Sequence, residues 1–169
     1  MSLNHIDSRF YLRIESFLRQ SPLFQISRSA RRLDALLTRI LRDEEVTFFE
    51  ALVLAAIFFE KKRGTRPSEL AETFQTTRGN VSHCLASLEA KGLVRRRIDP
   101  EDARAFQLTL QPAGRKRAAR VVGILDQMQG RFEQTSGTRD LEAMLRQMFV
   151  VESLCAGMAE SAGTGSVTP

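Results

Sequence analysis

The stretch from Ala71 to Leu110 constrains this chain more than any other. Two helix patterns, a polar turn between them, a glycine stop and two short strands follow one another with little spare length. The first helix pattern opens at Pro67, which can occupy an initial helical turn where no N–H is needed. It ends near Phe74, with Leu70, Ala71 and Phe74 inward. Gln75-Thr76-Thr77 is the turn, and either threonine can cap the next helix. That second helix is predicted to run to about Lys91, with Val81, Cys84, Leu85 and Leu88 on its apolar face at i, i+3, i+4 and i+7. Gly79 and His83 point directly away from that face, Asn80, Ser82 and Ser87 lie on its flanks, and Arg78 sits in the first turn. Gly92 fits the left-handed position just past a helix end. Strands are expected over Leu93–Ile98 and Ala105–Leu110, the second alternating with Phe106, Leu108 and Leu110 on one face. The intervening Asp99-Pro100-Glu101-Asp102-Ala103-Arg104 is a turn by composition.

Charge singles out the same region. Residues 61–120 hold 14 Lys plus Arg against 6 Asp plus Glu, although the whole chain is only +5. A concentrated positive field is the footprint of a polyanion binder, and equally of a solvated basic surface.

The flanking sequence is helical in pattern. Phe10, Ile14, Phe17 and Leu18 place a helix over Asp7–Gln20, broken at Ser21-Pro22. Ile26, Ala30, Leu33, Leu37, Ile40 and Leu41 mark a second over Phe24–Arg42. Thr47-Phe48-Phe49-Glu50 has the form of a capping box, in which threonine and glutamate satisfy each other's backbone N–H groups. The helix it opens, to about Lys62 and stopped by Gly64, is apolar on most sides and belongs inside the fold. Gln111-Pro112 opens a helix to about Arg131 with Ala118, Val121, Val122, Leu125, Met128 and Phe132 as its stripe. A last helix, broken off at Ser136-Gly137, runs from about Leu141 to Met158. The small polar tail after it is expected to be disordered.

Helix, turn, helix and basic hairpin together form a winged helix-turn-helix. The residue types suit duplex DNA. A helix fits the major groove and presents short or forked polar side chains to base edges. Thr76, Thr77, Arg78, Asn80, Ser82 and His83 are the candidates, with His83 open to a second reading as an exposed helix residue. Arg95, Arg96 and Arg97 at the hairpin base can contact phosphates or stabilise local acids; Arg95 and Arg97 are taken as the DNA contacts. Such contacts set affinity and salt dependence rather than sequence preference.

At these residues the chain resembles the MarR family of bacterial transcription regulators. The resemblance rests on Lys91-Gly92-Leu93-Val94-Arg95-Arg96, then Asp99-Pro100-Glu101-Asp102-Ala103-Arg104, then Leu110-Gln111-Pro112-Ala113-Gly114. They match in order a "KGLV" turn, an acidic wing motif ending in Asp-x-Arg, and an "LT-x-x-G" start to the dimerisation helix. The resemblance covers roughly residues 24–158. It implies a homodimer joined through N- and C-terminal helices, a pseudo-palindromic operator in double-stranded DNA, repression, and release or retuning of DNA binding by a small-molecule effector or an oxidant. It maps the wing-tip arginine onto Arg104 and a wing-structuring acid onto Asp102, beside Asp99. Gln111 stands where the motif has threonine, the helix over Asp7–Gln20 lengthens the usual N-terminus, and the reactive cysteine of the hydroperoxide-sensing branch is missing from the first helix.

The expected architecture is therefore mainly α with a small β-hairpin wing. Residues 1–46 and 111–158 form a helical dimerisation region, 47–110 the winged helix-turn-helix DNA-binding domain, and 159–169 a disordered tail. Cys84 and Cys155 lie at apolar-periodic positions, without a CxxC or a histidine cluster, and read as packing residues. Asp99, Glu101 and Asp102 lack the further ligands of a cation site. No cofactor or metal is expected. No apolar run approaches the roughly 18 residues of a membrane span, and Met1–Asp7 lacks a secretory pattern, so the expected place is the cytoplasm. Motifs of hydrolases, metalloproteases and phosphate loops do not occur, which argues against an enzyme. The rival reading is a winged helix used for protein contacts without specific DNA binding.

Overall fold

The computed structural model describes residue 16 and residues 18–60, 64–99 and 105–164. Helix α1 (Pro22–Ile40) is followed by a short 3-10 turn (Arg42–Glu44), then α2 (Phe48–Phe59), α3 (Pro67–Thr73), α4 (Arg78–Ala90), β1 (Val94–Ile98), β2 (Phe106–Leu110), α5 (Pro112–Ser136) and α6 (Thr138–Thr164). Most of the helix expected over Asp7–Gln20 lies outside the described residues, as do Lys61–Arg63 and the wing tip from Pro100 to Arg104. The chain divides into two compact units, residues 30–127 and residues 1–29 with 128–169.

Unit 30–127 holds the core. Leu41, Val53, Leu54, Leu70, Val81, Leu85, Leu88, Leu93, Leu108, Ala118 and Val121 are all buried in one cluster. Helix α2 supplies its centre. Thr47 Oγ1 accepts the Glu50 N–H at 3.2 Å, and Glu50 Oε2 accepts the Thr47 N–H at 2.7 Å, which is the capping box read from the sequence. The helix ends at Phe59 rather than Lys62, with Glu60 as its cap. Thr38 of α1 accepts the Phe48 N–H at 3.0 Å and so satisfies another donor of the same terminus.

Helices α3 and α4 close with the same hydrogen-bond pattern. After α4, the Gly92 N–H reaches the Glu89 carbonyl and the Leu93 N–H the Leu88 carbonyl, both at 2.9 Å, with Gly92 at φ +67°. This is a Schellman motif, and glycine suits it because it carries no Cβ penalty at positive φ. After α3, the Gln75 N–H reaches the Glu72 carbonyl at 3.1 Å and the Thr76 N–H the Ala71 carbonyl at 2.9 Å. Here Gln75 takes the left-handed position at φ 46°. The turn between the two helices is thereby fixed in the backbone, and Phe74 packs edge-on against Phe49 of α2, ring centres 5.6 Å apart.

Strands β1 and β2 pair antiparallel, Val94 opposite Leu110 and Ile98 opposite Phe106. Thr65 adds a bridge to Leu108, accepting its N–H at 2.9 Å. Burial fades along the ladder: Val94 and Leu108 are covered, while Ile98 and Phe106 are 66% and 49% exposed. Phe106 shares the face of Leu108 and Leu110 by alternation but lies past the edge of the core. Helix α5 begins where the Leu93 carbonyl accepts the Gln111 N–H at 2.9 Å. An added Cβ at Gly114 would lie 1.9 Å from that carbonyl oxygen, so only glycine allows this approach. Two acids before α2 hold α5 in turn. Arg120 donates to Glu44 through Nε at 2.8 Å and its terminal nitrogen at 2.7 Å, and Arg117 pairs with Glu45 at 3.3 Å.

In unit 1–29 with 128–169, α5 continues to Ser136, beyond the expected Arg131. Gly137 at φ +71° makes the break. Helix α6 then runs to Thr164, past the expected Met158. Alanines, Met158 and Glu160 favour continuation, and the Ser161 hydroxyl donates to the Gly157 carbonyl at 2.8 Å.

Candidate nucleic-acid interface

The first two turns of α4 carry the candidate reading residues. Thr77 is the N-cap and accepts the Asn80 N–H at 3.1 Å. The Asn80 amide nitrogen also donates to Thr76 Oγ1 at 2.9 Å, so cap, turn and helix are tied together. Arg78, Gly79, Asn80, Ser82 and His83 are exposed, whereas Val81, Cys84, Leu85 and Leu88 are buried. The helix thus presents one polar face and hides one apolar face, as its periodicity requires.

Strand alternation separates the three consecutive arginines. Arg95 and Arg97 are exposed and stand opposite Thr109 and Gln107, both polar. Arg96 stands opposite Leu108 on the other face and turns to Glu89 of α4, with Nε 3.2 Å from the carboxylate. The Glu89 carboxylate also accepts the Arg96 N–H at 3.3 Å. Arg96 therefore braces the hairpin against α4, and Arg95 with Arg97 form an exposed basic edge.

Asp99 stands at the mouth of the wing with its side chain wholly buried. Arg66 donates to it from Nε at 2.8 Å and from its terminal nitrogen at 2.7 Å. The Asp99 N–H reaches the Ala105 carbonyl at 3.0 Å, closing the hairpin just below the tip. A buried carboxylate needs such a partner, since an unpaired charge inside the fold is costly. Asp102 and Arg104 lie outside the described residues.

The sequence marks the cap, the exposed polar face of α4 and Asp99, but not the side chains that hold them. Glu50 was visible only as a helix cap. In the fold it also accepts the Ser87 hydroxyl at 2.6 Å and the Lys91 ammonium at 2.8 Å on each oxygen. Burial pushes the Glu50 carboxyl up, yet the bonds from Lys91, Ser87 and Thr47 together hold it below the usual carboxylate range. Glu44 is likewise lowered, through its hydrogen bond with Arg120 against the opposing effect of burial. Arg66 and Arg120 gave no local signal, because their partners lie far along the chain.

Burial pushes the Cys84 thiol up to about 12, and the nearby Glu50 charge adds to the shift. At neutral pH it is a protonated packing group, since only the thiolate is a good nucleophile. Cys155 is exposed on α6. Among the described residues no group of His, Cys, Asp and Glu is placed to hold a metal ion, and no helix is long and apolar enough to cross a membrane.

Residues 60–106, which span α3, α4, β1 and the start of β2, match the model of the MarR family. This stretch of the chain is MarR-like. That segment contains every candidate DNA-contacting residue. Solved structures extend the likeness over most of the chain at the level of fold. S. aureus MepR in complex with DNA superposes with a TM-score of 0.69 at 19% identity, over 80% of this chain and 96% of that one. The transcriptional repressor CouR bound to a 23-mer DNA duplex gives 0.63 at 23% identity, over 80% and 95%. The M. tuberculosis transcriptional regulator MOSR in complex with DNA gives 0.63 at 23%, over 88% and 100%. A comparison with curated protein sequences found no match. The MarR-type arrangement is a mostly helical winged helix-turn-helix with a two-stranded wing.

Proposed function

We propose that the protein is a sequence-specific, DNA-binding transcription regulator that acts as a homodimer and represses from a pseudo-palindromic operator. The observation that carries this reading is the pairing of two surfaces within the MarR-matched segment. One is the exposed polar face of α4 over Arg78, Asn80, Ser82 and His83; the other is the exposed basic edge of Arg95 and Arg97. The first has the side chains that read base edges, and the second has the cations that neutralise phosphates. Arg104 is assigned to the wing tip and Asp102 to the wing's structure, with Asp99 holding its base. Repression is proposed by analogy with the transcriptional repressor CouR, whose fold this chain shares.

Dimerisation is supported by apolar surface that a lone protomer leaves in water. Helix α1 exposes Leu23, Leu33, Leu36 and Ile40, and α6 exposes Leu145, Phe149, Leu154 and Met158. Large exposed apolar stripes mark association surfaces. Effector control is supported by an open cleft of about 370 Å³ in which Ala35 and Val46 lie beside Arg39, Arg42, Lys91 and the anionic Glu45. Its apolar walls and net cationic rim suit a small amphipathic anion.

The decisive experiment is selection of binding sites from a random duplex library, followed by affinity measurement across a salt series. Enrichment of a two-fold-related sequence is expected. His83→Ala or Asn80→Ala should change the enriched bases, while Arg95→Ala with Arg97→Ala should lower the slope of log K against log salt by about 2. Absence of any enriched sequence would refute the reading in favour of a protein-contact module.

A further inference from the structure

A reading helix works only when its pitch against the rest of the domain is fixed. Core packing holds the middle of α4 through Val81, Cys84, Leu85 and Leu88. Its far end is held by polar contacts, with Glu89 facing Arg96 of the wing and Ser87 and Lys91 meeting one carboxylate on another helix. Glu50, 4% exposed in the first turn of α2, accepts the Thr47 N–H, the Ser87 hydroxyl and the Lys91 ammonium. Ser87 and Lys91 lie one turn apart at the C-terminal end of α4. A single carboxylate therefore closes the start of α2 and fastens the end of α4. Each charge also sits where a helix dipole favours it, the anion at the N-terminus of α2 and the cation at the C-terminus of α4.

We propose that Glu50 is a positioning residue for DNA recognition, fixing through Ser87 and Lys91 the angle at which α4 presents its reading face. This inference rests on the DNA-reading function proposed above. The lever is long enough to matter. With a rise of 1.5 Å per residue, a tilt of about 5° around Leu85 displaces Arg78 by about 1 Å, beyond the tolerance of a preorganised contact. The exposed DNA-facing turns make no direct use of Glu50, so its effect falls on discrimination rather than on general affinity.

The test compares the full-length wild type with Glu50→Gln, Lys91→Gln, Ser87→Ala and Lys91→Arg on two probes: the duplex enriched from the random library and a scrambled duplex of equal length. Gln at position 50 can still accept the Thr47 N–H but no longer pairs with the ammonium. Glu44→Gln is the control, because it breaks an ion pair at the start of α5 instead. The expected result is about tenfold weaker binding to the enriched duplex for Glu50→Gln and Lys91→Gln, the loss of one good hydrogen bond's worth of alignment. Scrambled-duplex affinity and the salt slope should be unchanged, and Lys91→Arg should retain discrimination. Equal losses on both probes, matching the control, would overturn the proposal by showing a purely structural role. A lower salt slope for Lys91→Gln would overturn it by showing a direct phosphate contact. Should Glu50→Gln not fold, the more exposed Lys91 and the half-exposed Ser87 carry the same comparison. Failure of the wild type to enrich any sequence would strike the DNA-reading function itself, and is seen before any variant is made.

Discussion

Replacing Gly114 with alanine isolates the contact that joins the wing to α5. The added Cβ would lie 1.9 Å from the Leu93 carbonyl oxygen and 2.7 Å from its carbon, both backbone atoms that no rotamer change can move. Ordinary contact begins near 3.4 Å, so about 1.5 Å has to be opened between the first turn of α5 and the start of β1. Opening it strains the packing at about 1–3 kcal/mol and stretches the Gln111 N–H to Leu93 hydrogen bond, worth about 1 kcal/mol. The better helix propensity of alanine returns about 1 kcal/mol. Strain wins, and the net loss is about 2 kcal/mol. Urea denaturation at matched protomer concentration measures it, read as a fall in midpoint at constant slope. Gly123→Ala on the same helix is the control, since its Cβ would meet nothing within 4 Å in the protomer. It should gain up to about 1 kcal/mol by propensity alone. A Gly114→Ala protein as stable as wild type, or one shifted in the same direction as Gly123→Ala, would refute the close-approach argument.

Acid should weaken the fold through Glu50 and Glu44. Both carboxyls lie below 4.5 in the folded state, so their contribution is present above about 4.5 and fades as pH falls through the lower folded values. Urea midpoints taken from pH 7 down to pH 3 should show a shallower decline for Glu50→Gln than for wild type, and equal declines would remove the linkage. Asp99→Asn leaves the Arg66 guanidinium facing a neutral amide and should cost about 2 kcal/mol, allowing for a cation that is partly in water; thermal unfolding within experimental error of wild type would contradict this. With a thiol reagent at pH 8, Cys84 should stay unlabelled until the protein is unfolded, because its thiol is buried and raised to about 12; mass-mapped labelling of Cys84 in the native protein would oppose that.

The parts legible in the sequence are those set by neighbours a few residues away. The face of α4, the capping box at Thr47 and the stop at Gly92 depend on local spacing, and the fold realises each of them. The MarR resemblance likewise rested on short runs, and the family match covers the first two of the three. What escaped depends on distant partners. Glu50 finds Ser87 and Lys91 at separations of 37 and 41 residues, which no periodicity announces. The run Arg95-Arg96-Arg97 resolves into two surface cations and one brace only once the strand register is known. Phe106 follows the alternation of a buried strand, but the ladder carries it past the end of the core. The glycine of the third motif was noted as a pattern; the carbonyl of Leu93 is the physical reason for it.

The arrangement of α4 has a consequence for how such a protein changes over generations. Its scaffold side is committed to packing at Val81, Cys84, Leu85 and Leu88, while Arg78, Ser82 and His83 are exposed on the opposite face. Substitutions at the second set leave folding almost untouched, and their effects add to those of distant core changes. Asn80 is the exception, because its side chain also fastens Thr76. Under the proposed function, divergent copies of this protein would explore new target sequences at Arg78, Ser82 and His83 with little risk to solubility, while position 80 would drift only together with the turn that precedes it.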